Sequence, residues 1–381
     1  MLMSNIKWMS PKETKWQKFT KQPHQMFFLA SIVWSIIIMH YSALTYAGIQ
    51  NGDFLFLHGI GLMHGVFLNA FLGFLITVIP RYTQGTAIAK KQYIPLWFVY
   101  QIAVFIAIFI NPFIGKLLLM IAILMSGIIF LLTLHNAKLG SQHESVWLSL
   151  SFFAGVLVFI AHFAWDIDLA WYTMWFLMLP IVIIVSTRMI PSFYSVYFQS
   201  PLASNSKLFT ASIVILLWFV GLSKDNSTMV AIFSGLTFLY LLYYFAKLDI
   251  YRKAPPVVWI LGVGFLWLPI GFLALFIESA FDLYTLKMSF HIFMVGFVFT
   301  LLIGFGTRVI LGHSGQSIEA DKLTLFLFIS TQAIVIFRLL ASIFQVMNLP
   351  LVSILLYISF VMWVALFIIW LVRYGKIILG N

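Results

Sequence analysis

Cysteine is absent from the 381 residues, so disulfides, iron-sulfur clusters and thiolate metal sites are excluded, and any bound metal must take nitrogen or oxygen ligands. Charge is scarce too: 9% of residues are Asp, Glu, Lys or Arg, against 62% hydrophobic. A water-soluble chain of this length cannot bury so much apolar surface, which leaves lipid as the solvent. Acidic residues number 11 against 22 basic ones, for a net charge of +11. The cations lie in short loops between apolar runs and make no basic patch on a folded surface. A lipid bilayer is therefore the expected partner, and nucleic acid is not.

What the chain has in abundance is apolar runs of about 20 residues, each long enough as a helix to cross a hydrocarbon core of roughly 30 Å. They fall at 26–46, 58–80, 93–111, 113–134, 145–165, 169–190, 207–222, 228–248, 256–278, 284–311, 322–344 and 350–373. Lipid forbids unpaired backbone polar groups, and runs this long and continuous are not barrel strands. The expected fold is all-α, a polytopic membrane protein of about twelve helices. Residues 1–22 form a cytoplasmic tail and 23–381 a single transmembrane domain. Alternate loops divide the charge unequally: 18 of the 22 Lys and Arg fall on the side of the N-terminus, and only Lys116, Lys224 and Lys287 on the other. This bias places both termini in the cytoplasm.

Nine histidines are distributed over this topology. His24, His135, His143 and His313 lie in or beside cytoplasmic loops, where a solvated imidazole needs no further account. His40, His58, His64, His162 and His291 come from helices 1, 2, 5 and 10, each in the outer half of its helix. At 1.5 Å per residue, His40, His64 and His291 sit roughly 10 Å below the outer boundary. Any one of them reads equally well as an interfacial residue bonded to a carbonyl, but five on one side point to a metal site. Imidazole without thiolate or carboxylate suits copper, haem iron or zinc. His58 and His64 are six residues apart, about 120° around an α-helix, so they fit two neighbouring centres better than one ion. Gly61 and Gly65 leave room near His58 for close helix packing or for a flat ligand.

Arg338 falls inside helix 11, where a guanidinium is costly unless it snorkels or meets an anion, and no Asp or Glu lies mid-span. A haem propionate at the outer level would supply that anion. Arg81, Arg188 and Arg308 recur at the inner ends of helices 2, 6 and 10, which fits a threefold arrangement of four-helix units.

Several stretches resemble the NnrS family of bacterial membrane proteins. They are Gly73–Pro80 after the histidine-bearing start of helix 2, Arg188–Phe193, Trp267–Gly271, His291–Gly296 running to Thr307–Gly315, and Phe337–Ala341. They lie in order from about 50 to 345. The resemblance implies a multi-pass protein of the bacterial cytoplasmic (inner) membrane that holds haem, of b type, and copper. It further implies a link to nitric oxide and to protection from nitrosative stress. The family is also similar to the catalytic subunit of haem-copper oxidases, and His58 or His64, His291 and Arg338 match that pattern by helix and side as cofactor-binding residues. One departure stands out. The His-x-His-Glu-Met run common in the family is replaced here by His58-Gly59-Ile60-Gly61-Leu62-Met63-His64, without its second histidine and its glutamate.

The expected partners are thus nitric oxide or a related diatomic, and an electron donor that the residues do not identify. An oxidoreductase acting on nitric oxide is one form of this reading. Proton pumping is not expected, since no span carries a central carboxylate. The alternative from another class is a secondary transporter of a small solute or metal species, with Pro180, Pro191 and Pro269 marking broken helices. A third is an accessory subunit whose histidines are packed without metal.

Overall fold

The computed structural model describes residues 13–137, 143–200, 206–248, 250 and 252–379. The first twelve residues of the expected tail, with Lys7 and Lys12, lie outside these. A one-turn helix, Lys15–Phe19, precedes twelve long ones. These are α1 (Pro23–Tyr46), α2 (Phe56–Tyr82), α3 (Lys90–Phe109), α4 (Pro112–His135), α5 (His143–Trp165), α6 (Leu169–Phe198), α7 (Lys207–Leu222), α8 (Ser227–Phe245), α9 (Pro256–Ala280), α10 (Met288–His313), α11 (Lys322–Val346) and α12 (Val352–Ile378). No strand occurs among the described residues. Eleven of the twelve are long and apolar enough to cross a membrane. The exception, α7, has the bounds read from the sequence but only 16 residues, about 24 Å of helix.

Helix ends follow local chemistry. Side chains of Asn111, Ser206, Asn226 and Asp321 accept hydrogen bonds from the free N–H groups of α4, α7, α8 and α11. At the start of α11 the Asp321 carboxylate accepts from Thr324 and pairs with Arg373 of α12 at 3.0 Å, and these partners hold its pKa below the usual carboxylate value. The turn between α3 and α4 is nearly the shortest possible, and Gly115 lies there directly against the backbone of Ala107, where no side chain fits.

Packing sorts the helices into two layers. Helices α1, α3, α4, α5, α7, α8, α9, α11 and α12 each pack on the next and close a ring, with α12 returning to α1. Inside it stand α2, α6 and α10, whose apolar stretches are 83%, 78% and 67% buried, the highest values in the chain. The same three contain π-helical segments, at Phe56–Leu68, Met174–Met178 and Ile292–Phe299. Such wide turns rotate side chains away from their α-helical directions and recur at functional sites. Each unit of four helices thus contributes its second helix to the interior, as the recurring arginines imply. Those arginines stitch the inner helices together, with Arg188 over the Tyr82 ring at 3.9 Å and Arg308 over the Phe193 ring at 4.0 Å.

A polar relay repeats in the first and third units. The Trp34 indole of α1 donates to Gln101 of α3 at 2.8 Å, and the Gln101 amide donates to Asn69 of α2 at 3.0 Å. The Trp267 indole of α9 donates to Gln332 of α11 at 2.9 Å, and the Gln332 amide donates to Thr300 of α10 at 3.1 Å. Each glutamine satisfies two buried groups that lipid cannot. Gln101→Leu and Gln332→Leu should each cost about 1–3 kcal/mol through the stranded partners. A melting temperature in detergent that falls for both variants checks this, and an unchanged one would show that the relays carry no stability.

Candidate functional site

At the ends of α2 and α10 remote from the lysine- and arginine-rich loops, two histidines come together. His58 is the third residue of α2 and His291 the fourth of α10, so both lie in a first helical turn. Their ring centres are 6.0 Å apart with planes inclined by 28°. His58 also stacks on Phe54 at 5.2 Å and leans on Phe360 of α12. Its Nδ1 is buried without a hydrogen-bond partner. His291 Nδ1 lies 2.8 Å from the Lys287 carbonyl. A carbonyl can only accept, so Nδ1 carries the proton and Nε2 keeps its lone pair for another partner.

The turn that delivers His291 is held from two sides. Leu286 and Lys287 both have left-handed backbones, with φ of 53° and 56°, which end any helix before Met288 and cost energy in residues with a Cβ. The sequence span beginning at 284 was therefore too long, and His291 is nearer the helix start than that span implied. Arg338, 7% exposed, donates to the Leu286 carbonyl at 2.6 Å and to Ser342 of its own helix at 2.7 Å. From the end of α9 the Glu278 carboxylate accepts from the Thr285 hydroxyl and from the Ser289 N–H at 3.1 Å. Both groups bonded to Arg338 are neutral, and among the described residues no carboxylate comes within 4.0 Å of it. A buried guanidinium beside two imidazoles thus has donors left for an anion.

The other sequence-derived candidates lie elsewhere. His64 is 1% exposed, with its ring edge-on to Phe159 of α5 at 5.5 Å and both nitrogens lacking partners. Leaving such atoms unpaired costs about 1–3 kcal/mol, so this position fits a ligand that accepts an imidazole lone pair. His162 is satisfied already: Nδ1 faces the Ile167 carbonyl at 2.8 Å and Nε2 faces the Lys116 ammonium at 2.7 Å. His40 is exposed on α1. Gly61 and Gly65 receive the Ile38 side chain of α1, so helix packing accounts for them.

Below the histidines, α1, α2, α6, α10 and α12 line a pocket of about 60 Å³ walled by Phe74, Leu75, Val182, Leu301, Phe305 and Trp370 among others. Its walls are almost wholly apolar, which excludes ordered water and suits a small nonpolar molecule.

Sequence reasoning missed several participants. Ser342, four residues after Arg338, is legible in retrospect as an i, i+4 partner, whereas Glu278 and Leu286 meet the site only through tertiary structure. His24, set aside as solvated, is 3% exposed and packs on His313. Among the described residues no three His, Asp or Glu side chains converge as a metal cage.

No curated protein matches the chain. The family model described as NnrS protein matches residues 18–381, which takes in all twelve helices, the paired histidines and Arg338. The chain belongs to the NnrS family.

Proposed function

We propose that this protein binds nitric oxide or a related diatomic, or passes an electron to it, at a haem iron or copper centre held in part by His58 and His291, and so protects the cell from nitrosative stress. The observation that carries this reading is the imidazole pair itself: two inner helices present rings whose remaining nitrogens have no protein partner, beside a buried arginine with no carboxylate within 4.0 Å. His58 and His291 would hold the metal through imidazole nitrogens, and the 6.0 Å between their ring centres leaves room for one ion between them. Arg338 fits the propionate of a haem, and the bare nitrogens of His64 fit copper at a second, neighbouring position.

Such a centre supplies a coordination position for the diatomic and a one-electron couple. The chain supplies the rest. The Lys287 carbonyl fixes the His291 tautomer, Arg338 and Glu278 hold the turn that aims it, and Phe54 and Phe360 keep water from His58. The apolar cavity among the inner helices gives a neutral gas a place to partition from lipid.

The protein purified in mild detergent, after expression with haem and copper supplied, should show a Soret band that moves on reduction and on nitric oxide addition. His58→Ala and His291→Ala should each lower haem per chain at least about tenfold, as loss of a ligand does. His40→Ala and His162→Ala should leave it unchanged. A colourless protein without iron or copper would sink the proposal and favour transport.

We further propose that the protein sits in the bacterial cytoplasmic membrane with both termini inside, a reading supported by the loop charges. A C-terminal green fluorescent protein fusion should fluoresce, and alkaline phosphatase inserted after Asp225, between α7 and α8, should be active. Inactive phosphatase there would mean that the 16-residue α7 does not cross.

A further inference from the structure

At the opposite end of the bundle a second pair of imidazoles is built into the fold. His24 is the second residue of α1, just after the Pro23 that starts it, and His313 is the last residue of α10. Their ring centres are 4.6 Å apart with planes inclined by 39°. His24 is 3% exposed, packs on Phe28 at 5.8 Å, and its Nδ1 is buried without a hydrogen-bond partner. Both rings line a pocket of about 390 Å³, whose polar wall includes Gln25, Ser314, Gln316 and Glu13. Its position is fixed by bonds that do not involve the imidazoles: the Gln25 amide donates to the Ile378 carbonyl of α12 at 2.8 Å, and Lys21 pairs with Glu13 at 3.1 Å.

The geometry points to a second metal site, in which His24 and His313 bind a copper or zinc ion on the face of the lysine- and arginine-rich loops. Two imidazoles bound side by side to one ion at about 2.0–2.1 Å have ring centres about 5 Å apart, close to the spacing seen, whereas histidines that merely meet in a loop are under no such constraint. A buried nitrogen with no donor or acceptor is what a ligand awaiting an ion presents. The ion's other positions face the pocket, where water is at hand. The basic groups around the pocket do not forbid a cation: Lys21 is paired with Glu13, and Lys18 at the wall and the exposed Arg81 are in reach of solvent, which screens their charge. The pair also differs from the outer one in spacing, 4.6 against 6.0 Å.

The absence of cysteine makes a site-specific test possible. The full chain in detergent, stripped of metal, is titrated with Zn²⁺ and with Cu⁺ against a chromophoric chelator. His313→Ala, a change at an exposed helix end, should weaken binding of one ion at least about tenfold. His313→Cys should restore it, because a thiolate replaces the lost ligand. Alkylation of that introduced thiol by a maleimide should slow at least tenfold when Zn²⁺ is added, and the added change His24→Ala should abolish the protection. The outer histidines are intact in every variant and cannot guard a thiol at the other end, so the result is independent of whether the outer centre exists. Equal affinity in wild type and His313→Ala, or alkylation indifferent to both metals, would overturn the inference. So would protection by inorganic phosphate and not by metal, which would make the pocket an anion site.

Discussion

The absence of water in the hydrocarbon core governs the rest of this structure. Every backbone polar group must find a partner within its own segment, so the chain is helical throughout its apolar runs. Every polar side chain must turn inward or bond to a carbonyl one turn back, as Ser126, Thr133, Ser149 and Thr237 do. Polar chemistry is therefore driven to the interior, and a nine-helix ring makes an interior for three helices. The glutamine relays in the first and third units follow from the same constraint, since a buried indole N–H needs an acceptor that lipid does not offer.

Within that interior the site depends on one turn. Leu286 and Lys287 stand in a backbone region that residues with side chains avoid, and the buried Arg338 and the half-buried Glu278 from neighbouring helices hold the turn on both sides of them. Arg338 thus has a double part: it pins the carbonyl of Leu286 and brings a positive charge beside two imidazoles. Its buried position is offset by those hydrogen bonds, while the Glu278 carboxylate acts on it from beyond 4.0 Å.

Helix existence and bounds were legible because they rest on length and hydropathy. The α7 span was read at 207–222 and the structure has it there. The gathering of His58, His291 and Arg338 was legible only by level and side, because depth follows from residue counting while azimuth does not. In α2 the turns from Phe56 to Leu68 are wider than α-helical ones, yet His58 and His64 still face different neighbours, His58 meeting His291 and Phe360 while His64 meets Phe159. The separation of His64 from the pair, and the engagement of His162 by Lys116, depend on neighbours that no local pattern announces. His24 was misjudged for the opposite reason. Its place near a loop implied solvent, but α12 and the N-terminal segment close over it.

The threefold plan also shows what is not repeated. All three inner helices widen into π turns, yet only α2 and α10 carry histidine in or beside them. In α6 the corresponding segment holds Trp175, fully buried between Phe272 and Phe293 with its indole N–H unpartnered. The three units thus share a backbone shape while their side chains differ, with imidazoles in two and an indole in the third. An aromatic wall on the α6 side, imidazoles on the other two and an apolar cavity beneath keep the polar groups at one end of the inner helices, because a polar group set among the cavity walls would find no compensation there for its lost hydration.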